Sequence, residues 1–351
     1  MMHRFSKIGL LVSILSVFMF PSCHKVEVFE DDPYGNFDAL WTILDERYCF
    51  FEYKNIDWTQ IRTKYRKKLT SRMTSEELFS VCNDMLMELK DGHVNLIAAH
   101  DTSRYWDWLY GSPTNYDERI IDEYYLNFDY RYTSGIKYKI LPQNVGYMYY
   151  GSFSSTIGDG NLDQILAYLS TSTGLIIDVR SNGGGSLSNV ETLVSRFINR
   201  KTVVGYISHK TGFGHQDFSE LYPIEYSPSS RIRYQKPVVV LANRGTFSAG
   251  NNFVSVMKAL PNVIVIGDCT GGGSGLPFSS ELPNGWSIRF SASPIYDIER
   301  QHTEFGVEPT EGFKMDMDSE QASKGHDTIL DRAISYITVS YTHLRAHETS
   351  Q

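Results

Sequence analysis

A serine stands at a turn between a buried strand and a helix, a position that can carry nucleophilic chemistry. Residues 243–251 (NRGTFSAGN) follow the apolar run 237–242 and lead into a helical pattern over 250–260. In α/β proteins such turns lie at the carboxyl edge of the sheet, where ligands bind. The free amides and the dipole of the following helix would stabilise a negative oxygen beside Ser248. Ser248 is therefore a candidate nucleophile, although a serine here can equally cap the helix.

A second segment joins a buried strand to a run of glycines. Residues 178–186 (DVRSNGGGS) end the apolar run 174–179. Glycines let the backbone approach a ligand closely and direct amide hydrogens at it. The amides of Gly183 or Gly184, with that of Ala249, are predicted to form an oxyanion hole. A phosphate loop and a simple flexible turn are the alternatives, but the spacing fits neither a Walker loop nor a dinucleotide fingerprint.

A histidine follows a glycine break at the end of a predicted helix. It lies within residues 89–96 (LKDGHVNL), just before a short apolar run. An imidazole needs little tuning to act as a base, because its unperturbed pKa is about 6.5. A lone histidine near a helix end is more often structural than catalytic. His93 is thus a candidate base only in combination with the two segments above.

The three segments, in this order, resemble the carboxyl-terminal processing (tail-specific) proteases. Residues 302–309 (HTEFGVEP) resemble that family's closing element, and the resemblance extends over about residues 33–315. It implies an α/β/α sandwich with a ClpP/crotonase-like core and an N-terminal helical part. It also implies a serine endopeptidase that acts on polypeptides through an acyl-enzyme, without a metal or an organic cofactor.

The resemblance is specific to the tricorn-like branch of the family. Many members use a Ser–Lys dyad, but Gly273 occupies the position of that lysine. The tricorn-like branch uses a histidine and a glutamate, whose positions are taken here by His93 and Glu304. The implied mechanism has Ser248 as nucleophile, His93 as base and Glu304 orienting the imidazole. Lys90, the nearest lysine in sequence to the histidine turn, is the alternative base.

Two other functions remain open from the sequence. The same fold occurs in retinoid-binding modules that carry apolar ligands, and the high aromatic content, 13% of residues, suits such a carrier. An esterase could use the same Ser–His–Glu set. The presence of both Ser248 and His93 favours an enzyme, because a carrier needs neither residue.

Apolar periodicity divides the chain into a helical part and an α/β part. Residues 36–92 show three amphipathic helices, and residues 145–338 alternate short apolar runs with helical patterns, as crossover units on a parallel sheet do. Residues 93–144 connect the two parts and are rich in aromatic residues. They are too few for the PDZ domain found in many relatives. Trp106 and Trp108 in this stretch are therefore predicted substrate contacts, although the stretch could equally be an irregular cover for the core.

Composition excludes several functions. The formal net charge of −8 argues against binding to nucleic acids, which requires a basic surface. Cys49, Cys82 and Cys269 are widely separated and show no disulfide framework or zinc spacing.

The two ends of the chain carry separate signals. Residues 1–22 have basic residues followed by a short apolar run and resemble a bacterial lipoprotein signal, with Cys23 as the lipidated residue. Residues 23–35 would then be a tether to the membrane, and we expect an exported protein anchored in the cell envelope, in the outer membrane. Residues 339–351 resemble translated vector sequence, which predicts a non-native tail.

Overall fold

The computed structural model describes the backbone of residues 28–348 and the side chains of residues 28–339. The predicted signal segment, Cys23 and the first part of the tether lie outside the described residues. Helix α9 extends beyond the predicted end at Ile337, and its backbone continues to Glu348. The segment beyond 339 favours helix formation, because it contains Leu, Arg, Ala and Glu and no proline or glycine. Its non-native origin stays a prediction.

Three helices form the N-terminal part, each begun by a side chain that caps it. They are α1 (Pro33–Arg47), α2 (Trp58–Arg66) and α3 (Ser75–Met87). Asp32 and Asp57 accept backbone hydrogen bonds from the first turns of α1 and α2. At α3 a capping box is present, with Thr74 and Glu77 each bonding the backbone of the other.

The remaining elements alternate strands and helices. The strands are β1 (Asn95–Ile97), β2 (Arg131–Thr133), β3 (Ile136–Ile140), β4 (Gly146–Tyr150), β5 (Leu175–Asp178), β6 (Thr202–Ile207), β7 (Tyr222–Tyr226), β8 (Val238–Ala242), β9 (Val263–Gly267), β10 (Gly275–Glu281) and β11 (Ser287–Tyr296). The helices are α4 (Glu118–Ile120), continued by a π-turn (Ile121–Tyr125), α5 (Asp159–Leu169), α6 (Leu187–Val194), α7 (Ala249–Lys258), α8 (Ser319–Ser323) and α9 (Thr328–Glu348).

A six-stranded sheet forms the centre of the α/β part, in the order β2-β3-β4-β5-β8-β9. Strands β4, β5, β8 and β9 are parallel, and β2 and β3 extend the sheet as an antiparallel edge. Alternate residues of the central strands face opposite layers. Ile177 and Val240 pack with α5, α6 and α7 on one face, whereas Ile176 and Val239 pack with α9 on the other. This arrangement is the α/β/α sandwich expected from the sequence.

A second, smaller sheet joins the sandwich to the N-terminal helices. Its order is β1-β11-β6-β7, and β10 pairs with β11. Residues 286–291 (WSIRFS) alternate large apolar residues with Ser and Arg, which predicts the strand of an edge hairpin, and the predicted edge position is wrong. Their strand, β11, is ten residues long and has neighbours on both sides, because β10 covers one edge while β1 and β6 share the other.

The N-terminal helices and the small sheet share a hydrophobic cluster that is separate from the two clusters of the sandwich. The turn after α3 leads into β1, so His93 belongs to the helical side of the molecule. The turn between β8 and α7 carries Ser248 at the carboxyl edge of the larger sheet. The candidate site therefore forms where the helical part and the sandwich meet.

Candidate active site

Ser248 lies at a strained turn before α7. Its backbone has φ 57° and ψ −119°, a conformation that side-chain-bearing residues rarely adopt. The Phe247 amide donates to the Asn182 carbonyl at 2.9 Å, and the Ser248 amide donates to the Gly272 carbonyl at 2.9 Å. The Ser248 side chain makes no capping hydrogen bond to α7. The capping alternative is therefore wrong, and the hydroxyl is presented outside the helix.

The Ser248 hydroxyl contacts His93. The distance from Oγ to Nε2 of the imidazole is 3.0 Å, which is hydrogen-bond distance, and His93 is buried. A hydroxyl that donates to Nε2 requires the imidazole proton to be on Nδ1. Within the described residues Nδ1 is buried and makes no hydrogen bond. The structure thus brings together the predicted nucleophile and the predicted base.

Burial dominates the titration of His93. It lowers the pKa to about 4, while the charge of Asp91 and the backbone of Gly275 raise it and the charges of Arg289 and Lys54 lower it further. The imidazole is therefore neutral at pH 7. A neutral imidazole is the form that can accept the Ser248 proton.

Glu304 does not orient the imidazole directly, which corrects the role given to it by the family resemblance. Its Oε1 accepts from Lys54 Nζ at 2.8 Å, and its Oε2 accepts from the Ser274 amide at 2.9 Å. Burial and the charge of Asp91 raise the pKa of Glu304 to about 7, although Lys54 opposes this increase. The buried cation thus holds this carboxylate, and no Glu304–His93 hydrogen bond forms.

Asp91, two residues before His93, is the carboxylate closest to the base. Its Oδ1 accepts from the His93 amide at 2.8 Å, and its Oδ2 accepts from the hydroxyls of Tyr48 at 2.9 Å and Ser291 at 3.0 Å. Lys54 Nζ lies 3.3 Å from the same Oδ2. Burial raises the pKa of Asp91, but the charge of Lys54 and these hydrogen bonds lower it below its usual value. Asp91 is therefore an ionised group that fixes the histidine turn.

Two of these buried residues were not predicted as site residues. Lys54 follows α1 in a polar turn, and only the fold brings it to Asp91 and Glu304. Asp91 belongs to the same segment as His93, residues 89–96, but the sequence pattern predicts no role for its carboxylate. The aspartate beside the histidine was the available signal, whereas Lys54 has no sequence signal.

The lysines near the site are unsuited to be the base. Burial lowers the pKa of Lys54, but the charges of Asp91 and Glu304 raise it above its usual value, so the amine stays protonated. Lys90 is exposed, whereas His93 Nε2 already contacts the nucleophile. The alternative of Lys90 as the base is thus not supported by the geometry.

The predicted oxyanion hole is only partly formed by the predicted amides. The amide of Ala249 is the first of α7 and donates to no group of residues 28–339. The Gly184 amide donates to the Asn182 side chain at 2.9 Å, and Gly183 is exposed and outside the lining of the cavity. Gly185, which does line the cavity, is the remaining glycine of the loop.

Gly184 instead provides close packing beside the nucleophile. A Cβ atom on Gly184 would lie 2.7 Å from the Ser248 Cβ and 3.0 Å from the Ala249 nitrogen. Its φ of +101° also favours glycine. The glycine run therefore brings the backbone against the Ser248 turn, as the sequence predicted. The Gly184 amide, however, is bonded to Asn182 and is not free to bind an oxyanion.

A cavity of about 280 Å³ opens over the Ser–His pair. Its lining includes the glycine loop, the start of α7, the turn before β10 and one face of β11. A cluster of three or more His, Cys, Asp or Glu side chains able to hold a metal ion is not found among the described residues.

Comparison with known proteins agrees with this geometry. Peptidase family S41 matches residues 144–312, and the tricorn protease C1 domain matches residues 29–87. A crystal structure of a candidate peptidase from Parabacteroides merdae is 48% identical, with a TM-score of 0.83, over 88% of this chain and 97% of that chain. The chain belongs to peptidase family S41.

More distant members extend the comparison. The S41 chain is 26% identical to carboxy-terminal processing protease CtpA of Bacillus subtilis over 151 residues. The aligned residues make up 43% of this chain and 30% of that protein. The chain thus spans about a third of the length of this relative. Mature CPAF bound to lactacystin has the same fold, with a TM-score of 0.65 at 13% identity over 89% of this chain and 99% of that chain.

Aromatic rings fill the position of the lysine used by other S41 members. Phe247 and Trp108 stack with centroids 4.5 Å apart and ring planes at 17°. A Cβ on Gly273 would lie 2.5 Å from the Phe247 ring, and one on Gly92 would lie 2.9 Å from both Phe247 and Trp108. Neither position has room for a larger side chain unless the rings move. The Phe247 and Trp108 rings therefore occupy the space that a lysine side chain at position 273 would need.

The predicted substrate contacts lie beside the Ser248 cavity rather than in it. Trp108 lines a second cavity of about 460 Å³, with Tyr105, Arg244 and Phe305 on its other walls. Trp106 is 39% exposed and its ring lies 5.9 Å from that of Trp108. Further along the same stretch, Tyr116 and other tyrosines pack on the sandwich. The stretch between the two parts of the chain thus serves partly as a cover for the core and partly as a wall near the site.

Proposed function

We propose that this S41 chain is a serine endopeptidase that hydrolyses peptide bonds of polypeptides, with Ser248 as its nucleophile. The 3.0 Å contact between Ser248 Oγ and His93 Nε2, made from a strained turn and open to a cavity, is the observation that carries the proposal. A carrier of apolar ligands would not need this pair at its cavity.

The reaction follows from the positions of these groups. His93 takes the proton as Ser248 Oγ attacks the carbonyl carbon, and the amide of Ala249 faces the developing oxyanion. The imidazolium then gives its proton to the leaving amine, and water hydrolyses the acyl-enzyme with His93 again as base. Asp91 stabilises the imidazolium through its nearby charge, which raises the pKa of His93.

The test combines a covalent probe with two variants. Ser248→Ala and His93→Ala should each reduce kcat for a polypeptide substrate by about 10⁶-fold, and the double variant should lose no more, because the two residues act as a unit. A fluorophosphonate should label wild-type Ser248 and neither single variant. Ser170→Ala and His209→Ala, which alter exposed residues away from the site, are the matched controls.

The measurements separate the remaining alternatives. Folded wild-type protein that is not labelled would contradict the enzyme assignment and favour a carrier. Labelling together with turnover of simple esters and no cleavage of any polypeptide would favour an esterase.

Two further parts of the proposal rest on the sequence. We propose that Trp106 and Trp108 contact long substrates through the second cavity. Their replacement by alanine should weaken peptide turnover while probe labelling persists, and equal losses would assign them a structural role. Lipid attachment at Cys23 and a location in the bacterial cell envelope also remain proposals.

A further inference from the structure

An arginine forms part of the wall of the Ser248 cavity. Arg289 lies on β11 and pairs with Asn95 of β1, two residues after His93. Its side chain lines the same cavity as Ser248 and His93. The small sheet therefore places a cation beside the reacting atoms.

The guanidinium of Arg289 is without a carboxylate partner in the described part of the chain. Its single hydrogen bond there runs from Nη1 to Asn95 Oδ1 at 3.4 Å, and the ion pairs of the site instead join Lys54 to Asp91 and Glu304. A guanidinium offers five N–H donors and remains charged in proteins. Burial lowers the pKa of Arg289 from its usual value, and the charge of Asp91 offsets only part of this effect.

The remaining residues of the cavity wall could pack against the methylene groups of an acidic side chain. Leu187, Leu276, Pro277 and Ile295 give the cavity apolar surface, against which methylene groups can pack. Ser274 and Asn252 also contribute to the lining. The cavity thus combines apolar walls with one cation that has no carboxylate partner among the described residues.

We propose that Arg289 is a specificity-determining residue that binds a carboxylate of the polypeptide substrate next to the scissile bond. This inference rests on the proposed peptidase function and adds the substrate class. A carboxylate is the ligand that satisfies a guanidinium in two parallel hydrogen bonds. It can come from the side chain of an Asp or Glu flanking the bond or from a free C-terminus close to it.

The experiment compares acidic peptides with isosteric neutral peptides. One set is amidated at the C-terminus and carries Glu or Gln at each position from three before to three after the cleaved bond. A second set has neutral side chains and ends in a carboxylate or an amide at increasing distances from the bond. The set and position that show an Arg289-dependent preference identify the source of the carboxylate.

The expected preference is at least about tenfold in kcat/KM for the acid over its amide, as charge-assisted hydrogen bonds give. Arg289→Met should bring the ratio to within about twofold of one because the rate for the acid falls more than the rate for the amide, and Arg289→Lys should retain part of the preference. Arg332→Met, on an exposed face of α9, is the matched control and should keep the full preference. An unchanged ratio in Arg289→Met, or an equal loss for acid and amide, would overturn the proposal.

A second measurement keeps this test separate from that of the peptidase function. One set of peptidyl phosphonates carries Glu or Gln at each of the three positions before the phosphorus, and a second set carries a carboxylate or an amide on the leaving group. Both sets react with Ser248 without any turnover. Their rates should differ at least about tenfold in the wild type and be nearly equal in Arg289→Met. If no peptide is cleaved but this difference is present, the peptidase proposal fails while the carboxylate site stands. Equal rates in the wild type would refute the carboxylate site.

Discussion

At the scale of residues, the base is supported by two carboxylates that have different states. Asp91 bonds the His93 amide and keeps a lowered pKa, whereas Glu304 has a pKa raised to about 7. Lys54 lies between them and contacts both. Below pH 7 the buried cluster therefore holds one cation and one anion, with Glu304 largely protonated. The negative charge that acts on the imidazole is that of Asp91, which opposes the positive charges of Arg289 and Lys54.

We expect Asp91→Asn to reduce kcat at least about tenfold more than Glu304→Gln, because the charge of Asp91 stabilises the imidazolium and Glu304 does not contact it. A tenfold change in rate corresponds to a change of about one unit in the pKa of His93. Loss of the Asp91 charge should also move the acid limb of the rate profile to lower pH, since that charge raises the pKa of His93. Steady-state kinetics measures both effects, and Asp84→Asn on the surface is the control. A greater loss in Glu304→Gln would restore Glu304 as the orienting residue.

The low pKa of His93 predicts activity far into the acid range. The base is active when neutral, so kcat/KM should fall with an apparent pKa of about 4 rather than 6.5. A smaller inflection near pH 7 should belong to Glu304 and disappear in Glu304→Gln.

The same pKa sets a limit on folding at low pH. The pKa of His93 is about 4 in the folded protein and about 6.5 in the unfolded chain, so the unfolded chain binds the proton more readily. The free energy of unfolding should therefore decrease as the pH falls from about 6.5 to about 4. Circular dichroism at each pH would separate this loss from titration of the base. An acid limb between pH 6 and 7 that persists in Glu304→Gln would show that His93 is solvated.

At the scale of elements, the end of β5 is held by a buried ion network. Arg180 is fully buried and binds Asp178 at 2.6 Å and Asp327 at 2.7 Å. Asp327 also accepts the amides of Ile329 and Leu330 at the start of α9. The arginine before the glycine run thus ties the loop at the active site to the helix on the far face of the sheet.

Arg180→Met should lower the free energy of unfolding by about 3–5 kcal/mol, because it leaves two buried carboxylates without their cation. Urea denaturation gives the value, and Glu123→Gln, which breaks the exposed pair with Arg119, should leave the midpoint unchanged. The glycine loop would lose its anchor, so Ser248 labelling should slow as well. A wild-type midpoint in Arg180→Met would show that the network does not stabilise the fold.

The sequence predicted best those elements that local physics decides. Apolar periodicity located α1, α2 and α3, and unbroken apolar runs located β5 and β8. Strands β6, β7 and β10 escaped prediction because their burial depends on neighbours distant in sequence. The edge position expected for β11 failed for the same reason, since pairing partners are not written in a strand's own residues.

The site divides in a similar way. Ser248 and the glycine run were visible because turns after buried strands have local signatures, and His93 gained its meaning from the family resemblance. The partners of Glu304 were not visible, since Lys54 lies 250 residues away in the chain. The donors of the oxyanion hole depend on hydrogen bonds such as that from Gly184 to Asn182, which glycine spacing alone does not determine.

At the scale of the whole molecule, Ser248 and His93 are held by two different hydrophobic clusters. The cluster of α1, α2, α3 and the small sheet supports His93 through Tyr48 and Asp91, while the sandwich supports Ser248. Activity therefore depends on how the helical part and the sandwich pack together. The groups proposed to carry the reaction, Ser248, His93 and Asp91, are chemically independent of a lipid on Cys23.

That independence makes the proposed anchor testable without disturbing catalysis. Among residues 28–348, no helix has the length and apolar character needed to cross a bilayer. If a lipid on Cys23 holds the protein, wild-type protein expressed in a Gram-negative bacterium should enter the detergent phase and incorporate labelled palmitate. Cys23→Ala should lose the label and become soluble or remain unprocessed, whereas Ser22→Ala, which keeps a small residue before the cysteine, should stay anchored. Because a lipid on Cys23 supplies no group to the proposed reaction, released Cys23→Ala protein should keep the wild-type rate of fluorophosphonate labelling. Wild-type protein that is soluble and unlabelled by palmitate would refute the anchor and leave the peptidase proposal intact.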